Sequence, residues 1–360
     1  MEDLRYKLLL HGIDTLQCAY FLQPRESGGI DFSWLAQNRE GLRHSRFKEP
    51  AAITLGGAGF LLHPYGTASG YPYVISNEDF KIEFGEFNNP SFFVTFKSQA
   101  LWRESAFILH EKFQRWAASV GFGAFRAEGL SRVDFSFDYH LPMVDFTEDG
   151  FVSRSNKDSQ HRENGKVQTF TFGRGDIVLR VYDKVAEVCQ QSNKVWLYLL
   201  WGQETDVWRI EWQVRKDILR QFGIRTFEDL KKCQGDLLRY LSEEHTTLRV
   251  PNGDGNRARW PLHPLWVDLQ KKIGQLDWLG VSRIFGKTAV LEERMVRIGI
   301  IAYGYLKAYA AVHCAQNRMS MIDEHTALFH LMLRMWRVHD SLNWRTEVNN
   351  RIAAIECGEW

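Results

Sequence analysis

The stretch SRVDFSFDYH, Ser131 to His140, sets Val133, Phe135, Phe137 and Tyr139 against Arg132, Asp134, Ser136 and Asp138 in strict alternation. Successive side chains of a strand point to opposite faces, so this is a half-buried strand with one apolar and one charged side. Two later stretches repeat the pattern. In DIVLRVY, Asp176 to Tyr182, the residues Ile177, Leu179 and Val181 oppose Val178, Arg180 and Tyr182. In DVWRIEWQVR, Asp206 to Arg215, the residues Trp208, Ile210, Trp212 and Val214 oppose Arg209, Glu211, Gln213 and Arg215. If the three apolar faces share one core, their carboxylates, tyrosine and arginines share one surface.

Working outward, Phe80 to Gly85 and Phe92 to Lys97 alternate and are joined by Asn88, Asn89 and Pro90, a hairpin signal. Ala100 to Ser119 has helical spacing, with Leu101, Phe107, Ile108, Phe113 and Trp116 on one stripe. The polar run Thr147 to Lys166 reads as a mobile loop. Phe170 to Phe172 and Ile177 to Val181 form a hairpin around Gly173, Arg174 and Gly175, which puts Tyr182 at the far end of its second strand. Asp183 to Leu200 and Phe227 to Glu243 read as helices. The order predicts an α+β fold: a mostly antiparallel sheet with helices on one face and the other face free for a ligand. Met1 to Ala51 is poorly periodic, and the glycines between Ala52 and Gly70 suggest short strands and turns. Val250 to Pro264, dense in Pro, Gly and Asn, reads as a boundary. The expected organisation is a domain over 1–250, a linker over 251–264 and a helical C-terminal domain over 265–360.

With 360 residues, 44% of them apolar and 14% aromatic, the chain can bury a large core. A net charge of +1 excludes a polycation, so a surface for nucleic acid must come from local segregation of the 45 Lys and Arg residues. Five scattered cysteines without a C-x-x-C pair read as reduced thiols and give no zinc ribbon. The N-terminal run is too short for a signal peptide and no stretch reads as a membrane span, so the expectation is a soluble cytoplasmic protein. GVSRIFGKT, Gly280 to Thr288, has five residues between its glycines where a phosphate-binding loop has four, which excludes that loop and a nucleotide cofactor.

The shared polar surface suits phosphodiester chemistry. A tyrosine hydroxyl can attack phosphorus when a cation stabilises the phenolate, whose pKa of about 10 otherwise leaves it a weak nucleophile at neutral pH. Hard carboxylate ligands favour Mg²⁺ or Mn²⁺, and arginines can brace phosphate oxygens bidentately. A phosphotyrosine bond conserves the ester, so the cut can be resealed without ATP.

The order R-x-D-x-x-x-D (Arg132, Asp134, Asp138), TFGRGDIVLRVYDK (Thr171 to Lys184) and R-I-E (Arg209 to Glu211) resembles the replication initiation factor family. That family comprises rolling-circle plasmid initiators of the Rep_trans type, related relaxases of integrative elements and replication proteins of some filamentous phages. The resemblance covers roughly Asp79 to Leu230. It implies a ferredoxin-like, nickase-type sheet, a nucleophile at Tyr182, and acids Asp134, Asp138 and Glu211 at the metal. Arg180, Lys184 and Arg209 would steady the phosphate. The better-known nickases hold metal with an H-x-H pair. None of the twelve histidines here forms one, so the metal would rest on carboxylates alone. Arg132, Arg154, Lys157, Arg162, Lys166, Arg174, Arg257 and Arg259 are candidate contacts to DNA. A host helicase and a second copy of the chain are further candidate partners. The expected activity is single-strand nicking and rejoining at an origin. A binding-only origin or regulatory protein, and a phosphodiesterase that uses water, are the other readings. In isolation, R-x-Y-D-K is also what a strand end running into an Asp-capped helix looks like.

Overall fold

The structure, a computed structural model, describes residues 6–25, 29–163, 165–276, 287–338 and 343–356. Gly280 to Gly286, part of the excluded phosphate-loop stretch, lies outside them. The chain runs β1 (Lys7–Pro24), α1 (Phe32–His44), β2 (Ala51–Leu55), β3 (Ala58–Leu62), β4 (Tyr73–Ser76), β5 (Phe80–Phe84) and β6 (Phe92–Phe96). It continues through α2 (Ser98–Arg103), α3 (Ala106–Ser119), β7 (Phe122–His140), β8 (Phe151–Ser153), β9 (Asp158–Glu163), β10 (Lys166–Phe172) and β11 (Ile177–Asp183). Next come α4 (Lys184–Glu187), α5 (Trp196–Trp201), β12 (Val207–Arg215), α6 (Lys216–Gln221), α7 (Phe227–Arg239), β13 (Thr246–Leu248) and α8 (Pro264–Gly274). The helices α9 (Lys287–Asn317), α10 (Glu324–Val338) and α11 (Trp344–Glu356) end the described chain.

Among the described residues eleven strands make one antiparallel sheet, in the order β2-β3-β4-β5-β6-β1-β7-β12-β11-β10-β9. The expected α+β class, with its helical C-terminal region, is what the chain adopts. The three alternating stretches lie on adjacent strands: Trp208 faces Tyr139, Ile210 faces Phe137, and Val181 faces Ile210. Their apolar faces fuse into the main core with Leu109 and Phe113 of α3, Phe227, Leu230 and Leu237 of α7, and Trp266 of α8. Each of these large side chains, once fully buried, contributes about 1.5–3 kcal/mol of transfer free energy.

The sheet's centre is the 18-residue β1, which lies between β6 and β7 in a stretch where the sequence shows no clean period. The cause is a series of register shifts against β7, between Leu8/Leu10, Ile13/Thr15 and Gln17/Cys18 among others. Each bulge moves the alternation by one residue, so core-facing Ile13 is followed by Leu16 rather than by position 15. The predicted helix over Ala100–Ser119 is two helices. Ser105 caps α3 by accepting from the Ile108 amide, and Ile108 points outward, 48% exposed. The run Thr147–Lys166, expected to be a mobile loop, instead supplies β8, β9 and the start of β10, and β9 forms the sheet's edge.

The second face of the sheet is not open where the site lies. Lys184 to Trp201 folds back over it as α4, a π-helical turn and α5, and Trp102 of α2 closes the same area. A smaller core of Leu10, Trp102, Val188, Trp196, Leu197 and Trp201 seals this roof. The expected free face is therefore covered, because Asp183–Leu200 carries enough apolar surface to pack on the sheet.

Residues 251–264 do not detach the helix that comes after them. Leu265, Trp266, Leu269 and Ile273 of α8 are 0–1% exposed within the main core. Among the described residues one helical stretch, Arg294–Asn317, is long and apolar enough to cross a membrane by length and composition. This corrects the expectation from sequence that no such stretch exists.

Candidate active site

The antiparallel register of β11 and β12 sets Arg180 opposite Glu211 and Tyr182 opposite Arg209. All four side chains lie on the roofed face. The Tyr182 hydroxyl donates to Glu211 Oε2 at 3.0 Å, and Lys184 Nζ donates to Tyr182 Oη at 3.4 Å. Arg180 Nη1 reaches Glu211 Oε1 at 3.3 Å, and Lys184 also donates to Glu187 Oε2 at 2.6 Å. Asp183, between them, accepts from the Ala186 amide at 2.9 Å and caps α4. The Y-D-K segment is thus both a strand end with a helix cap and the carrier of a phenol–carboxylate pair.

Behind that pair lies a buried ion cluster. Arg209, fully buried, donates from Nε and Nη2 to both oxygens of Asp138, at 2.6 and 2.8 Å, and from Nη1 to Asp14 Oδ1 at 2.7 Å. Trp201 Nε1 donates to Asp138 Oδ2 at 2.7 Å. Trp102 Nε1 and Ser98 Oγ donate to Asp14 Oδ1, both at 2.9 Å, and Lys194 Nζ lies 3.2 Å from Asp14 Oδ2. Removing one member of such a cluster strands the others without solvent, at a cost of about 3–5 kcal/mol. Asp14, Trp102, Lys194 and Trp201 are not among the residues that the sequence singles out. Asp14 sits in HGIDTLQC of β1, where the bulges hide the strand; the other three have no local pattern that ties them to the acids.

The expected metal set does not assemble. Asp138 is saturated by Arg209 and Trp201, and Asp134 accepts from Arg132 Nε at 2.8 Å and from its Nη2. Glu211 is taken up by Tyr182 and Arg180. Among the described residues no group of three His, Cys, Asp or Glu side chains could hold a metal ion. A buried guanidinium stands between the carboxylates where a shared cation would go, so these residues as arranged do not fit Mg²⁺ or Mn²⁺. Arg209 likewise faces Asp138 and Asp14 rather than an incoming phosphate.

Of the candidate DNA contacts, Arg132 is paired with Asp134, and the other seven fall into three groups. Lys157, Arg162, Lys166 and Arg174 are exposed along the β9–β10 edge and its turns. Arg154 is paired with Glu244 at 3.1 Å. Arg257 donates to the carbonyls of Asp149 and Phe151 and stacks on Trp260, which makes it a tie between loops, while Arg259 is exposed.

No family model matches the chain. No curated protein matches it either. Among solved structures it is similar to the rolling circle replication initiator protein from Geobacillus stearothermophilus, at 18% identity over 78% of this chain and 100% of that one, with a TM-score of 0.44.

The electrostatics of the site arise from its burial. Tyr182 is 8% exposed, and burial, then the neighbouring Glu211, pushes its phenol well above the usual range, against the opposing pull of Arg209. The phenol is therefore neutral at rest and needs a proton acceptor, which Glu211 Oε2 is placed to be. Burial, then the Arg209 charge, lowers the Lys184 ammonium below the ordinary lysine value. Burial pushes the Asp14 carboxyl up, but Lys194, Arg209 and Lys184 outweigh it and hold the group well below the carboxylate range. Of the groups around Tyr182, Arg180 is the most open, with 34% of its side chain exposed, so solvent reaches the pair from the Arg180 side.

Proposed function

We propose that the protein nicks and rejoins one DNA strand through a covalent bond to Tyr182, as a rolling-circle replication initiator or a mobilisation relaxase. The observation that carries this reading is the Tyr182 hydroxyl donating to Glu211 Oε2 at 3.0 Å, with Lys184 Nζ 3.4 Å from the same hydroxyl oxygen. A nucleophile, a base and a cation within bonding distance form the constellation that covalent catalysis requires. The sequence resemblance around Tyr182 supports the same assignment.

Tyr182 Oη attacks phosphorus as its proton passes to Glu211. The bond from phosphorus to the 3′ oxygen breaks, and Lys184, whose lowered proton affinity suits it to donate, protonates that oxygen. The products are a free 3′ hydroxyl and a 5′ phosphotyrosine, and the reverse sequence reseals the strand. Arg180, at the open side, receives the non-bridging phosphate oxygens. Arg209, Asp138 and Asp14 hold the strands beneath in register. For a strand to reach Tyr182, the roof beyond Lys184, as far as Trp201, lifts while Lys184 stays beside the strand end, since the phenol is nearly closed off at rest.

The test uses the supercoiled form of the element that encodes the chain, incubated with protein in Mg²⁺, in Mn²⁺ and in EDTA. Open circles with protein attached at a 5′ end are expected, with Tyr182→Phe inactive and Glu211→Gln slowed about 10²–10⁴-fold. Open circles made equally well by Tyr182→Phe would defeat the reading. Cutting without an adduct would point to attack by water, and binding without cutting to an origin-binding protein.

A further inference from the structure

Away from Tyr182, on the same face of the sheet, a cavity of about 790 Å³ opens where β6, β1 and the first half of β7 meet. The core-facing residues of these strands are Phe92, Val94, Leu16, Cys18, Tyr20 and Leu130, so Phe93, Ala19 and Phe21 point to the roofed face. The roof does not extend this far, and they line the cavity instead.

Its chemistry is specific. Arg126, Lys216, Arg220 and Arg225 stand around it, all exposed, and among the described residues none is paired with a carboxylate within 4.0 Å. The one acid in the wall, Glu128, is engaged elsewhere: its Oε1 accepts from the Phe227 amide at 3.2 Å and lies 4.0 Å from His110 Nε2. Three aromatic rings form the floor and side. The Arg126 guanidinium sits 4.4 Å over the Phe21 ring, and the Tyr71 hydroxyl is fixed by donation to the Pro90 carbonyl at 3.1 Å. In a chain of net charge +1, four unpaired cations around three rings are a marked local segregation.

We propose that this cavity binds a single-stranded segment of DNA, with the four cations on the phosphates and Phe21 and Phe93 stacking on bases, while the buried Tyr71 backs the floor. Charge alone would suit a duplex as well, but recessed rings beside cations match unstacked bases and exclude a paired helix. The volume falls within the range of about 300–1,000 Å³ that holds a ligand of a few rings, so a few nucleotides enter and the rest lie outside. Along β7, Gly129 at the cavity and Ser136 opposite Glu211 are separated by seven residues, roughly 20 Å at strand rise. Arg132 lies on that path. The cavity therefore holds the strand on one side of the cut. This placement relative to the cut rests on the Tyr182 reading, whereas the binding itself does not.

Fluorescence anisotropy of labelled oligo-dT of twelve nucleotides, with the full-length protein across a range of salt, tests it. The combined variant Arg126→Gln, Arg220→Gln, Arg225→Gln should bind about tenfold or more weakly. Its slope of log affinity against log salt should shrink by about two, since each phosphate contact on a single strand contributes about 0.7. Phe21→Ala, which keeps every charge, should lose about fivefold or more on oligo-dT and nothing on a dA·dT duplex of the same length. Unchanged affinity and slope in the triple variant, with its circular dichroism intact, would overturn the proposal, as would equal losses on single strand and duplex in Phe21→Ala. An unaltered protein that binds oligo-dT in this way yet does not nick, or a Tyr182→Phe protein that still nicks, would count against the Tyr182 reading alone.

Discussion

Asp134 shows how a single carboxyl can record its burial. Burial raises it to about 6 despite the Arg132 guanidinium beside it, with the Glu211 charge adding to the rise. An unfolded chain would titrate the same group near 3.9. Because the folded pKa is the higher one, the folded state holds the proton more tightly between these values, and stability from this group is full below about pH 4. It is lost as pH rises through about 6, by about 3 kcal/mol in all at 1.36 kcal/mol per unit. With 3% of the carboxyl exposed, solvent screening removes little of that. Asp134→Asn is neutral at every pH, so its urea-unfolding free energy should gain on the wild type by about 2 kcal/mol between pH 4.5 and 7. A difference between the two proteins that stays constant over that range would refute this account. At this scale the sequence was informative wherever alternation held. Arg180, Tyr182, Arg209, Glu211 and Asp138 do lie on one face. What alternation cannot carry is which group each acid faces, and so Arg209, read as a phosphate clamp, is the buried counter-ion of Asp138 and Asp14.

At the level of elements, the roof decides whether Tyr182 is within reach of a substrate. The segment Lys184–Trp201 is irregular: a four-residue helix, a π-helical turn, Asn193 in the left-handed region at φ 52°, then the six-residue α5. Short helices of this kind hold through packing rather than through their own hydrogen bonds. Its anchor is the smaller core, in which Leu197 is fully buried. Leu197→Ala should therefore cost about 2–4 kcal/mol, with the loss concentrated in the roof. Hydrogen exchange should accelerate through residues 184–201 while β7 and β12, locked by the main core, keep their protection. Acceleration spread evenly over sheet and roof would show that the two open as one unit. The sequence signalled a helix here but not its place, because an apolar run of this length fits either side of a sheet. The same limit explains β1: five irregularities in its pairing with β7 erase the period by which strands are recognised.

For the whole molecule, the question is where the folded unit ends. The Pro, Gly and Asn content of 251–264 suggested a boundary, yet that stretch is bound in place. Val250 N donates to the Pro261 carbonyl at 2.8 Å, His263 N donates to the Leu248 carbonyl at 3.0 Å, and Trp266 Nε1 donates to the Ser242 carbonyl at 2.8 Å. Beyond Leu276 the situation changes. The helices α9 and α10 pack chiefly on each other, and α11 touches β2. They leave Met295, Val296, Ile298, Ile300, Ile301 and Phe329 exposed, an apolar surface of the kind that drives association. A chain ending at Leu276 should keep the near-ultraviolet circular dichroism of the sheet's aromatic core, melt cooperatively, and show less self-association by light scattering than the full chain. A chain ending at Val250 loses four side chains that are buried to within 1% of completion, each of which contributes about 1.5–3 kcal/mol. That sum is of the order of a domain's entire stability of about 5–15 kcal/mol, so the shorter chain should not melt cooperatively. Cooperative melting of the chain ending at Val250 would place the fold's edge before α8 and make the buried face of that helix dispensable.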